Sequence, residues 1–407
     1  MSLKTKFARN WGQLGMKFNI WEDCPKVPIT DLLSSIVDNR GKTVPRSDEG
    51  WKLIATNCVT NNTLFPVYEK VRYLTQETYE TWFRAHPIPG DILFVNKGTP
   101  GRVCMVPDPV DFCIAQDMIA LRADDEKIYN KYLFAVLRSR EIQQQIYNTN
   151  VGDVIPHFKK QFMKQLLIPV PNRKLQERIG DMYYQLSYKT ELNKKINKNL
   201  EQQAQVIYQQ MFIDNASSNW TEGTLSDIAD ITMGQSPSGS SYNEDGNGTI
   251  FFQGRAEFGF RFPTVRLYTT EPKRMACAND TLMSVRAPVG DLNVAHTDCC
   301  IGRGLAAIHS KNNHQSFVLY TMFSLKKRLD VFNGEGTVFG SINRNSLNEM
   351  PLIIPSSEKL DEFEALVAPM DAAIHNNYNE ICRLEQLRDS LLPKLMSGEL
   401  DVSDIDF

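Results

Sequence analysis

Near its middle the chain reads Leu200-Glu201-Gln202, and 184 positions later it reads Leu384-Glu385-Gln386. Carried along the chain, that offset sets Asn193 on Asn377, Ile207 on Leu391 and Leu186 on Met370. Upstream, Leu167-Ile168-Pro169 matches Ile353-Ile354-Pro355, and Pro89-Gly90-Asp91-Ile92-Leu93-Phe94 matches Ala278-Asn279-Asp280-Thr281-Leu282-Met283. Gly101 and Gly290 keep the same spacing from the two aspartates, and Pro28-Ile29-Thr30-Asp31-Leu32 matches Thr224-Leu225-Ser226-Asp227-Ile228. Each match is short, but their order holds along the whole chain. Such self-similarity makes the chain two copies of one unit, and the drift in offset needs only small insertions in surface loops.

Each unit opens with short β-branched and aromatic runs punctuated by Gly, Pro, Asn and Asp, the pattern of strands and turns. Each also carries one amphipathic stretch, over 128–147 and 315–332. Each unit then ends in a long helix. In the second copy Leu360, Phe363, Val367, Met370, Ile374, Asn377, Ile381, Leu384, Arg388, Leu391 and Leu395 follow at steps of three and four. In the first, Ile179, Tyr183, Leu186, Thr190, Asn193, Asn197, Leu200, Ala204, Ile207 and Met211 follow the same frame. Heptads sustained this long predict a coiled coil, and the coincident Asn193 and Asn377 are candidates for fixing its register. The predicted division is a first globular domain over 1–171, a central helix over 172–212, a second domain over 213–355, a distal helix over 356–398 and an acidic tail over 399–407.

Charge indicates which helices pair. Residues 172–212 hold seven basic and four acidic side chains, and residues 356–407 hold four and twelve. Opposite signs favour the first helix against the second of the same chain. A two-fold relation between the copies makes that pairing antiparallel. The net charge of −3 excludes a globally basic nucleic-acid binder but not a local DNA-reading surface. The second domain, 224–355, is balanced at twelve basic and twelve acidic residues.

The cysteines form no CxxC pair, so the pattern predicts reduced thiols and no zinc site. No apolar run reaches the roughly 18 residues of a membrane span, and the first 18 residues lack the apolar core of a signal peptide. Together these features predict a cytosolic protein. The chain has no Asn/Asp-Pro-Pro-aromatic run, and Gly41-Lys42-Thr43 lacks the upstream glycine of a phosphate-binding loop, since Ile36 stands there. No catalytic residue and no cofactor or metal site is predicted in this chain.

Two domains each followed by a long helix, the repeated Gly/Asn-Asp…Leu strand, the Ile-Pro junction and the Leu-Glu-Gln helix together resemble the specificity subunit of type I restriction–modification systems. The resemblance covers nearly the whole chain. It implies an α+β fold with two pseudo-repeated target-recognition domains, the two spacer helices pairing as an antiparallel coiled coil. It implies a non-catalytic, sequence-specific DNA-binding subunit reading a bipartite asymmetric target in double-stranded DNA, one half-site per domain. The implied partners are two methyltransferase subunits carrying S-adenosylmethionine and restriction/translocase subunits carrying ATP and Mg, in the cytoplasm of a bacterium or archaeon. Two other readings stay open: a coiled-coil scaffold with two protein-binding domains, and a stand-alone DNA-modifying enzyme with unrecognised motifs.

Candidate DNA contacts fall in polar loops. In the first unit they are Arg40, Lys42, Thr43, Lys97, Arg102, His157, Lys159 and Lys160. In the second they are Gln235, Ser236, Ser238, Arg255, Arg286, Arg303, Asn343 and Arg344, with Arg261 and Arg266 adding charge. The segments 152–160 and 336–344 align, setting His157, Lys159 and Lys160 opposite Asn343, Arg344 and Asn345. Arg suits guanine, Gln and Asn suit adenine, and Lys and Ser suit phosphate. Phe251, Phe252, Phe258, Phe260 and Phe262 are read as strand core.

Overall fold

A computed structural model describes residues 18–39, 43–114, 116–149, 156–334 and 340–400. The chain divides into two units: residues 1–194 with 379–407, and residues 195–378. Each long helix contributes one part to each unit.

The first unit is built on a four-stranded antiparallel sheet in the order Leu33–Val37, Met118–Ala123, Ile92–Val95, Val103–Met105. The second unit repeats it as Ala229–Met233, Leu305–Ser310, Thr281–Ser284, Leu292–Val294. The third strand in each is buried along its whole length. A run covered on both faces explains why its sequence is uniformly non-charged rather than alternating.

A second sheet in the first unit pairs Arg72–Leu74 with Trp51–Ile54, and Trp51–Ile54 in parallel with Phe112–Ile114. Its counterpart pairs Leu267–Thr269, Thr249–Phe252 and Cys299–Ile301 with the same parallel step, and is widened by Tyr242–Asn243 and Met275–Ala276. A two-stranded ribbon closes each domain, Lys26–Pro28 on Leu167–Pro169 and Thr221–Thr224 on Pro351–Ile354. The repeated Ile-Pro junction thus ties the end of each domain to its beginning.

The repeated aspartates are turn-makers. Gly90 and Asn279 adopt positive φ, 86° and 72°, which Gly and Asn tolerate best. The following carboxylate reaches back three residues: Asp91 accepts from Ile88 N at 2.9 Å and Asp280 from Cys277 N at 2.8 Å. Each then holds a side chain of the neighbouring strand. Asp91 takes two bonds of 2.9 Å from Arg122, and Asp280 lies 2.6 Å from His309 Nδ1.

The amphipathic stretches are not single helices. The first forms Asn130–Leu137 and Arg140–Asn148, because Ser139 caps the second piece through Ile142 N. The other forms Gln315–Ser324, Lys326–Leu329 and a 3-10 turn over Asp330–Asn333.

The long helices run over Arg173–Tyr208 and Ser357–Met396, about 54 and 60 Å at 1.5 Å per residue. In the first unit, Arg388 lies over Tyr183, while Asn193 donates to Glu380 at 2.9 Å. One number rises as the other falls, so the helices are antiparallel. Lys189–Glu380 and Lys194–Glu385 pair the basic helix with the acidic one at 2.5 and 3.0 Å. In the second unit, Asn377 donates to Asn197 at 2.8 Å, and Asn197 donates to the Ile374 carbonyl at 3.3 Å. Asn377 is met by Asn197, not by its repeat mate Asn193.

The predicted seam holds at Ile179, Tyr183, Thr190, Asn193, Asn197 and Ala204. It then moves by one residue, burying Tyr208 and Phe212 while Ile207 and Met211 lie half-buried. Ser187, not Leu186, is fully buried, and Leu200 is half-buried. On the distal helix Phe363, Ile374 and Ile381 are buried, Met370, Asn377 and Leu384 are half-buried, and Leu392 replaces Leu391. A helix of 3.6 residues per turn drifts about 20° per heptad against a 3.5 repeat, the direction of the late shift to Tyr208, and the π-helical segment Gln209–Asp214 carries Phe212.

All eight cysteines are free thiols, six of them buried. Among the described residues no helix is long and apolar enough to cross a membrane, and no group of three or more His, Cys, Asp or Glu could hold a metal ion.

Candidate nucleic-acid interface

Strand register gathers the candidate loops. In the first unit Val37 pairs with Ala120 and Val95 with Met118. The loops after Val37 and Val95 and the turn before Met118 therefore leave the same end of the sheet. Arg40 and Lys42, in the first of these loops, lie outside the described residues; Thr43 is exposed. Lys97 is exposed, 3.9 Å from Asp117, and its backbone bridges to His157. Gly98 N donates to the Pro156 carbonyl at 2.9 Å and Phe158 N to the Asn96 carbonyl at 2.8 Å. These bonds bring half-buried His157 and exposed Lys159 and Lys160 beside Lys97. Lys160 pairs with Asp38. Lys159 has no ion pair among the described residues. Arg102, half-buried, closes the hairpin that starts at Val95.

The second unit assembles the same end with different side chains. Met233 pairs with Ala306 and Ser284 with Leu305. Gly234 follows, and a Cβ there would stand 2.2 Å from the Gly302 carbonyl oxygen. Only glycine permits that approach. It sets exposed Gln235 against the Ile301 carbonyl and lets the Ser236 hydroxyl accept from Arg303 N at 3.2 Å. Ser238 and Arg303 are exposed. Val285 N donates to the Gly304 carbonyl at 2.9 Å, which seats Arg286 beside them. Arg286 bridges to Ser341, with Ala287 N on the Gly340 carbonyl and Ile342 N on the Val285 carbonyl, at 3.0 and 3.1 Å. This is the Lys97–His157 arrangement repeated.

Asn343 and Arg344 follow directly and are exposed. The Asn343 side chain caps the helix Arg344–Asn348 by accepting from Ser346 N at 2.9 Å, which leaves its amide nitrogen for readout. Arg255 is exposed and pairs with Asp291, which Lys326 also reaches at 3.2 Å.

Two expectations need correction. Arg261 is buried and serves an internal ion cluster, so it adds no surface charge. Phe251, Phe252 and Phe262 are core and half-buried Phe258 packs against it, but Phe260 is 54% exposed. Arg266 is exposed and pairs with Glu257 at 3.3 Å.

Sequence reading missed the acids that hold these cations: Asp38, Asp117 and Asp291. Each comes from a different loop than its cation, so no local spacing announces it. Across both sheet ends the exposed side chains combine phosphate-seeking cations with base-reading amides and guanidinia. Lys159, Arg286 and Arg344 carry no described carboxylate partner.

A family model described as the type I restriction modification DNA specificity domain matches this chain twice, over residues 25–202 and 217–380. A Methanocaldococcus jannaschii protein, provisionally named the type I restriction enzyme MjaX specificity subunit, is 28% identical over 360 residues, covering 82% of this chain and 84% of its own length. The type I restriction enzyme MjaIX specificity subunit of the same organism is 23% identical over 350 residues, covering 78% and 79%. A crystal structure of the type I restriction–modification S subunit from M. genitalium shares the fold, with a TM-score of 0.57 at 17% identity, covering 93% of this chain and 98% of that one.

Proposed function

The chain belongs to the family of type I restriction–modification DNA specificity proteins, and from that premise we propose that it is the non-catalytic, DNA-reading subunit of such a complex, each unit reading one half of a bipartite, asymmetric duplex target. The supporting observation is the pair of equivalent sheet ends with unlike side chains. Lys97, His157, Lys159 and Lys160 occupy one end; Gln235, Ser236, Arg286, Arg303 and Arg344 occupy the other. Matching frames give matching approaches to a groove, and unlike side chains give unlike half-sites. Arg102 joins the first set, and Ser238, Arg255 and Asn343 the second; Arg40 and Lys42, outside the described residues, are proposed from the sequence alone.

The paired helices serve as the spacer. Continuous helices of 36 and 40 residues make the distance between half-sites a geometric constraint. Tethering two readers also makes the second contact effectively intramolecular. The chemistry belongs to partners: two methyltransferase subunits binding S-adenosylmethionine, and restriction/translocase subunits using ATP and Mg.

Selection of a random-sequence duplex pool on the purified full chain tests this. The expected product is two different half-site motifs separated by one fixed gap. Recovery of one contiguous motif, or of the two halves at every gap alike, would overturn it.

A further inference from the structure

Resting on that DNA-reading role, we propose that Arg261 is a positioning residue that clamps the second recognition domain to both spacer helices and so sets the permitted gap between half-sites. Arg261 lies on the segment joining strands Thr249–Phe252 and Leu267–Thr269, and only 4% of it is exposed. Its carbonyl accepts from Val294 N at 2.8 Å, which fixes it to the four-stranded sheet. Its guanidinium leaves the domain. Nη2 lies 3.1 Å from Glu201 Oε2 on the central helix and 3.4 Å from Asp371 Oδ1 on the distal helix. The same nitrogen donates to the Tyr320 hydroxyl at 3.0 Å, and Tyr320 donates to Asp371 at 2.9 Å. One side chain therefore joins the domain to both helices and to the helix Gln315–Ser324. The adjacent Phe262 packs on His375 and Tyr378 of the distal helix, centroids 5.2 and 4.7 Å apart.

Buried ionic groups are an expensive way to hold a domain, since apolar side chains of similar volume are often as stabilising. What an ion cluster adds is direction: Nη2 alone meets Glu201, Asp371 and Tyr320, while Nε is buried without a hydrogen-bond partner, so few orientations keep all three contacts. The corresponding stretch of the first unit meets the central helix differently, through Leu64 N on Glu191 Oε1 at 3.3 Å. The first unit has its own ion pair to the central helix, Lys131–Asp181 at 2.7 Å, but it comes from the helix Asn130–Leu137; the Arg261 cluster belongs to the second unit.

One base pair moves a half-site by about 3.4 Å along the duplex and about 35° around it. A domain held in one orientation rejects that change; a domain free to pivot accepts it. The test repeats the duplex selection with Arg261→Met. Because that change strands two half-buried carboxylates, Arg261→Met with Glu201→Gln and Asp371→Asn, which removes all the charges together, is run beside it. Wild type is expected to favour one gap over its neighbours by at least about tenfold, and both variants to bring the neighbouring gaps within about threefold while keeping both half-site motifs. Arg261→Lys, which keeps the charge without the fork, falls between. A single gap retained in the neutral triple variant overturns the proposal. So does loss of the second motif in both variants, which marks a merely structural role. If wild type itself selects no gapped motif, the DNA-reading role fails, and the clamp fails with it; that outcome is seen in the unsubstituted chain alone.

Discussion

Lys159, Arg286 and Arg344 are exposed, stand at the loop-bearing sheet ends, and have no ion pair among the described residues. Their full charge is available to phosphates. Replacing all three by alanine touches no buried contact, so stability should change by no more than about 0.5 kcal/mol per site. Binding should change strongly and in a salt-dependent way. Each phosphate contact contributes about 0.9 to the slope of log affinity against log salt, so three contacts are worth about 2.7 in slope, or about 40-fold in salt sensitivity between 50 and 200 mM. Fluorescence anisotropy with a labelled selected duplex, at several KCl concentrations, measures that slope. A parallel variant, Lys160→Ala with Arg255→Ala, supplies the comparison. Those cations are already held by Asp38 and Asp291, so its slope should change by less per residue. An unchanged slope in the triple variant, or an equal per-residue change in the comparison, would refute the assignment of phosphate contacts to these sheet ends.

The repeated aspartates should differ in worth. Asp91 is 1% exposed and holds Arg122 through two bonds, so Asp91→Ala should cost about 3 kcal/mol. Asp280 holds a His309 side chain that is 54% exposed, so Asp280→Ala should cost about 1.5 kcal/mol; urea unfolding of both variants checks the order. The His375 imidazole is kept below its ordinary value of 6.5 by burial and by His296. The unfolded chain therefore takes up the proton more readily, and stability is lost as pH falls through about 6.5. His375→Gln should flatten that decline in urea melts between pH 7.5 and 5.5, and an unchanged decline would assign it elsewhere.

Much of the fold was legible because it rests on local chemistry. Gly90-Asp91 and Asn279-Asp280 are recognisable as equivalents because a positive-φ residue followed by a back-bonding carboxylate needs those residue types. The long helices were legible from heptads and their pairing from opposite charge. Their exact seam was not, since Tyr208 displaces Ile207 only as the stripe drifts around the helix. Ser139 was readable in principle as a cap, yet the apolar periodicity runs through it.

The candidate site was legible as a set of loops, not as a surface. Lys97 and His157 are brought together by a backbone bridge, and Gln235 and Arg303 by the close approach of Gly234 to Gly302. Strand register does this work, and register joins residues far apart in sequence. Arg261 was misplaced for the same reason: the acids that bury it, Glu201 and Asp371, come from two helices outside its own domain's strands.

The central claim is that each unit reads its own half of one target. Mapping methylated adenines in DNA exposed to this chain together with the methyltransferase subunit proposed as its partner tests it most directly, using wild type and Gln235→Ala with Arg303→Ala. The account predicts a gapped, asymmetric motif in wild type. In the variant it predicts a change confined to one half, with the other half and the gap intact. A change in both halves, or a motif without a gap, would contradict it.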